Sequence, residues 1–181
     1  MLTLTVPPNE MWDSVKQEFV NFKGETLFLE HSLLSVSKWE SEFCKPFLSK
    51  TEKSIEEMRA YIKCMTLNKS VDPQTYKMLT NDNFSAVMKY IDSPMSAVKF
   101  KEQPGKGPMS RETITSELIY YWLVALQIPF QCEKWHLNRL FTLVRICSIK
   151  NKPATKRSKS ELARERTALN KERKARLHTT G

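Results

Sequence analysis

The chain has 181 residues, of which 40% are hydrophobic, 10% aromatic and 27% charged; that is enough to bury one sizeable core and too apolar for a disordered chain. The formal net charge of +9 is concentrated: residues 149–181 hold 11 Lys/Arg against 3 Asp/Glu, whereas residues 1–148 hold 18 against 17. A nearly neutral body with a basic tail excludes a fold whose whole surface is an electrostatic footprint for nucleic acid.

"LTLTV" alternates and stops at Pro7-Pro8, which predicts a short strand. A polar stretch with Trp12 follows. "EFVNF" and "ETLFLE" flank Lys23-Gly24 and read as a hairpin joined by a tight turn. From about Ser32 the period changes: Val36, Trp39, Phe43 and Phe47 recur at three and four, predicting a helix that Pro46 disturbs.

In "SKTEKSIEEMRAYIKCM", Ile55, Met58, Ile62 and Met65 mark the inner face of a second helix, with Thr51 or Ser54 as cap and Glu56 and Glu57 in its first turn. Asp72-Pro73 opens a short helix through Leu79. "TNDNFSAVMKYI" opens another, with Phe84, Val87 and Ile91 inward. "AVKFK" reads as a strand and "EQPGKGPM" as a loop.

Ser110 is the expected cap of a helix with Ile114, Leu118, Tyr121, Trp122 and Ala125 on its apolar face. Pro129 breaks it, pushing Ile128 toward an extended conformation. A second helix from near Gln131 places His136, Leu140, Leu143, Val144 and Cys147 on one side and Lys134, Asn138, Thr142 and Arg145 on the other. The two form an αα-hairpin expected to be the main core. Glu117 and Arg139 fall where such a hairpin would pair them, and Trp39, Trp122 and Trp135 are the candidate structural aromatics.

The longest charge-free run of this apolar stretch, residues 118–132, is 15 residues, short of the roughly 20 that a membrane span needs. Beyond "KNKPATKRSKS", a polar linker, "SELARERTALNKERKARL" predicts a helix starting at a Ser158–Glu161 capping box, with Leu162, Leu169 and Leu177 as its sparse apolar stripe. The expected architecture is therefore mainly α: a single helical domain over residues 1–149 with a small N-terminal β-hairpin or sheet and a core αα-hairpin. A basic linker and mobile C-terminal helix occupy 150–181.

The chemistry-bearing residues are sparse. Gly24, Gly105, Gly107 and Gly181 are the only glycines, so no phosphate-binding or dinucleotide glycine loop can be written and no cofactor is expected. Cys132 and His136, four apart, would share a helix face as two zinc ligands completed by Cys44 or Cys64. The spacing matches no standard zinc signature, and free thiols in a reducing compartment are the reading adopted, with no metal. His31, beside Glu30 and Ser32, could be imagined in an acid-base triad, but a helix-capping role fits the trio better and no nucleophile elbow supports catalysis. The N-terminus has neither the positive region nor the apolar run of an export peptide.

Lys156, Arg157, Lys159, Arg164, Arg166, Lys171, Arg173, Lys174 and Arg176 are the candidate partner-binding residues of the tail. They suit an acidic protein partner or, non-specifically, the phosphates of nucleic acid; aromatics for stacking bases are absent after Phe141.

"LTLTVP" with "MWD" and "QEF", "LEHSLLSVSKWESEFCKPFL", "YIKCMTL" followed by "VDP", "YYWLVALQIPFQCEKWHLNRLFTL" and the ending "LNKERKARLHTTG" together resemble a family of small proteins from the tail modules of long-tailed bacteriophages, the tail assembly chaperones. The similar strings run from residue 2 to the terminus. They are aromatic strings and not catalytic signatures. The resemblance implies a non-enzymatic protein of the host cell cytoplasm. Such a protein binds the helical tape-measure protein during virion morphogenesis, keeps its apolar stretches from aggregating and helps recruit tail-tube subunits. The alternative is a nucleic-acid-binding accessory phage protein acting through the basic tail.

Overall fold

The computed structural model describes residues 1–13, 17–98, 100, 112–151 and 159–177. The chain divides into two compact units, Met1–Ser148 and Ile149–Gly181. The first contains strands β1 (Leu2–Val6), β2 (Asn9–Asp13), β3 (Glu18–Phe22) and β4 (Glu25–Leu29). Helices α1 (Leu33–Phe43), α2 (Ile55–Met65), α3 (Asn81–Ile91), α4 (Ser116–Ala125) and most of α5 (Leu137–Lys150) follow, and α6 (Lys159–Leu177) lies in the second unit.

Strand pairing differs from the expected β3–β4 hairpin. β1 pairs with β4 and β2 with β3, both antiparallel. The register is continuous: Val6 faces Glu25, Asn9 faces Phe22, and two residues intervene on each strand. This is one long hairpin interrupted at Pro7-Pro8 opposite Lys23-Gly24. Proline has no amide to give the ladder, so the "polar stretch" with Trp12 is the continuing strand β2. Gly24 sits at φ +77°, and a Cβ there would meet Val6 O and Pro8 N at 2.9 Å. The Lys23-Gly24 pair is thus a joint in the hairpin and not its turn.

On β1 and β4 alternate residues Leu4, Val6, Leu27 and Leu29 are buried, as period-two strands with one solvated face require. The segment after α2 runs beside β4, with Leu67 N–H donating to Phe28 O at 2.8 Å and Glu30 N–H to Met65 O at 3.0 Å. α3 packs on β1.

α1 is the hub, packing on both α2 and α4. Ser32 caps it through a box in which Ser35 replaces the usual Glu or Gln, and Cys44 closes it in the left-handed region at φ 51°. Val36 and Trp39 are buried on it as expected. In α2 the Ser54–Glu57 capping box forms, but Ile55, expected inside, is 65% exposed and Tyr61 joins Ile62 and Met65 in the core. Asp72 caps a single 3-10 turn, Pro73–Tyr76, that stops short of the expected Leu79. Thr80 caps α3, where Val87 and Tyr90 are buried.

α4 begins at Ser116 with Thr115 as cap, later than expected; Ser110 and the 102–109 loop lie outside the described residues. Lys99 and Lys101 of the expected "AVKFK" strand are also outside them, and Ala97 and Val98 are not in a strand. Ile119 and Leu123 face the core of α4 while Tyr121 and Ile114 are exposed, so the expected face is rotated. The helix ends in a Schellman motif: Ile128 N–H donates to Leu123 O and Gln127 N–H to Val124 O, with Gln127 at φ 55°. The next helix does not start near Gln131. A 3-10 turn, Phe130–Lys134, precedes α5, whose buried residues are Leu137, Leu140 and Val144. α4 and α5 are consecutive across the Pro129 turn, and the helix against which α4 packs is α1.

Candidate functional site

The expected Glu117–Arg139 pair is not formed. Arg139 lies over the Trp135 ring, 4.4 Å from its centroid. Glu117 sits in the first turn of α4, where hydrogen bonds to that helix's own start hold its carboxyl below the usual range. The three candidate tryptophans separate: Trp39 is fully buried, with its indole N–H on Glu57 O at 3.0 Å, whereas Trp122 and Trp135 are half-buried against the same core.

In the second unit, Arg164, Arg166, Lys171, Arg173, Lys174 and Arg176 are all exposed along α6. Lys159 starts that helix, while Lys156, Arg157 and the Ser158 of the expected capping box lie outside the described residues.

Cys132 is in the 3-10 turn and His136 just before α5, so the shared helix face assumed for a zinc pair does not exist. All four cysteines are free thiols. Among the described residues no three His, Cys, Asp or Glu side chains converge as a metal shell.

The Glu30-His31-Ser32 trio splits three ways. Ser32 caps α1; Glu30 accepts from the Tyr90 hydroxyl at 2.8 Å and meets the Met1 amine at 2.9 Å; and His31 Nδ1 shares a hydrogen with the Tyr61 hydroxyl. What the sequence did not suggest is that His31 meets His136, ring centroids 5.1 Å apart and edge-on. His136 Nδ1 accepts from the Asn138 amide and its Nε2 contacts Tyr90 O, so the proton of the neutral ring sits on Nε2. Burial, with His136 adding to it, holds His31 down at about 3, and burial also lowers His136. The same burial pushes the Tyr61 hydroxyl well above its ordinary value. Two neutral imidazoles thus sit in the core, both rings buried, with their partners supplied by the chain.

A different surface stands out from the core outward. α4 buries Ile119 and Leu123 on α1's side, yet its opposite face carries Tyr121 at 65% exposure and Val124 at 62%. Phe130, 54% exposed, follows in the 3-10 turn after α4, its ring 6.3 Å from that of half-buried Tyr120. Tyr120 is fixed in turn by its hydroxyl bond to Glu133 Oε2 at 2.9 Å; burial first, then that carboxylate, pushes the hydroxyl up to about 12. An α-helix apolar on both faces normally has neighbours on both. The signal was present in "YYWLVALQIPF", where Gln127 is the single polar side chain able to face solvent by hydrogen bonding besides the tyrosine hydroxyls and the Trp122 indole N–H.

Glu40 is the other residue missed. It is buried on α1 and accepts from Phe47 N–H at 2.8 Å and Ser116 N–H at 2.7 Å. Its place four residues after Val36, on the buried stripe, was the available clue.

Compared with protein-family models, curated proteins and solved structures, the chain has no match. No helix among the described residues is long and apolar enough to cross a membrane.

Proposed function

We propose that the chain is a tail assembly chaperone of a long-tailed bacteriophage, acting in the host cytoplasm by binding the tape-measure protein and helping to recruit tail-tube subunits. The observation that carries this reading is the outward apolar pair Tyr121 and Val124 on a helix whose other face is already in the core, with exposed Phe130 in the turn that follows. A chaperone for helical clients needs such a face, because an amphipathic helix lays its apolar stripe against one. The strings that resemble the family add to it: "LEHSLLSVSKWESEFCKPFL", "YIKCMTL" and "QCEKWHLNRLFTL" supply His31, Phe47, Tyr61, His136 and Leu137, which meet in one core.

Co-expression with the tape-measure protein of the same tail module tests the reading. The client should become soluble and co-purify, and a Tyr121→Ser, Val124→Ser double variant with unchanged circular dichroism should lose it. No co-purification with the unaltered chain rejects the function; full retention by the double variant rejects the face.

The exposed cations of α6 favour the second reading, a nucleic-acid-binding accessory protein. Deleting residues 150–181 should then abolish salt-sensitive retention on DNA, and equal retention without them rejects it.

A further inference from the structure

Arg59 and Lys63, four residues apart on α2, face Lys77 across a cavity of about 400 Å³ between that helix and the segment around the Pro73–Tyr76 turn. Among the described residues no carboxylate lines it and none of the three cations has an ion-pair partner. Arg59 Nε is shut off from solvent and has no hydrogen-bond partner among the described residues. What a ligand in the cavity can meet is the part-exposed remainder of the Arg59 guanidinium together with the exposed Lys63 and Lys77, a wall of positive charge that suits an anion.

The rest of the lining is built and largely satisfied. Tyr76 donates its hydroxyl to Thr66 Oγ1 at 3.1 Å, and Thr66 donates on to Ile62 O at 2.8 Å. Asn68 ties the rim to β4, accepting from Phe28 N–H at 2.8 Å and donating to Thr26 O at 3.0 Å. Burial raises the Tyr76 hydroxyl, with Glu25 nearby adding to it, so it stays a neutral donor. Ala60, Val71, Pro73 and the Tyr76 ring leave an apolar portion beside the cations.

We propose that this cavity is a binding site for a small phosphate monoester with a flat apolar body. Three unpaired cations match a dianion better than the single negative charge of a peptide carboxylate, and the volume lies in the range of small-ligand sites. The anion is held by side chains and not by backbone amides, which is why no glycine-rich loop is needed. The site uses no residue of the α4 face and stands whether or not that face binds a client.

Calorimetric titration of the full chain with phenyl phosphate and with inorganic phosphate tests it. Phenyl phosphate should saturate one site and bind at least about tenfold tighter than inorganic phosphate, because only the ester covers the apolar wall. Arg59→Gln, and separately Lys63→Gln and Lys77→Gln at the exposed rim, should each weaken it by about tenfold, while Lys134→Gln should not. Absence of saturable binding, equal affinity for the two probes, or indifference to all three substitutions overturns the proposal. Saturable binding of a glutamate-rich peptide without phenyl phosphate binding overturns it in favour of a protein ligand.

Discussion

Glu40 Oε2 accepts the Ser116 amide at 2.7 Å, joining the middle of α1 to the first turn of α4 across 76 residues of sequence. Its second oxygen takes the Phe47 amide at 2.8 Å. One buried carboxylate thereby satisfies a donor left over at a helix start and another in the loop after α1, and its charge suits the positive end of α4. Glu40→Ala strands both amides and should cost about 3 kcal/mol or more. Urea denaturation should show a lower midpoint with an unchanged slope; a loss below about 1 kcal/mol would mean that water replaces the carboxylate.

Stability should fall on mild acidification. His31 is held near 3 in the folded chain against an ordinary 6.5, so above pH 6.5 both states are neutral and nothing is lost. Below 6.5 the unfolded chain takes up a proton that the folded core refuses, and stability declines by about 1.4 kcal/mol per pH unit toward the folded value. His136, also lowered, adds with the same sign. The two lowered glutamates, Glu57 and Glu117, enter only below their ordinary 4.5, so thermal midpoints between pH 6.5 and 5 isolate the histidines. His31→Gln should flatten that slope; an unchanged slope would place the titration elsewhere.

Gly24→Ala should destabilise by about 1–3 kcal/mol, since the added methyl meets backbone on both sides at a positive φ. Gln127→Gly should act oppositely. Gln127 occupies the left-handed position of the Schellman motif at φ 55°, where glycine is relieved of strain, and a gain of about 0.5–1 kcal/mol is expected in thermal melts.

The tryptophans give a graded test. Trp39 stacks on Phe43 at 4.8 Å and meets Phe47 edge-on at 5.1 Å, so Trp39→Ala should cost about 3–5 kcal/mol. Half-buried Trp135, whose ring carries Arg139, should cost about 1–2 kcal/mol as alanine. Denaturant melts with the two losses in reverse order would reverse the assignment of the core.

Local signals in the sequence located most helices, because capping residues and 3.6-residue periodicity are short-range: Ser32, Ser54 and Asp72 cap where their chemistry suggested. What failed was long-range or two-sided. "ETLFL" could pair with either of two strands, and only the match of Pro7-Pro8 to Lys23-Gly24 decides between them. Beyond Glu117, α4 carries apolar residues on its outward side as well as its inward one, so period alone could not say which side faced α1. The cavity draws Arg59 and Lys63 from a helix's solvent side and Lys77 from beyond a turn, residues that singly look like solvated lysines and arginines.

The break in the long hairpin also bears on how the molecule comes apart. Because Pro7 and Pro8 have no amide to give the ladder, the outer ladder can open up to its last pair, Asn9–Phe22, without breaking the inner one; Phe22 stays with Leu4, Val6, Leu27 and Leu29 in the core. Amide hydrogen exchange in β2 and β3 is then set by a small local opening, and that in β1 and β4 by loss of the whole domain. The two prolines act as a fuse that confines fraying to the tip.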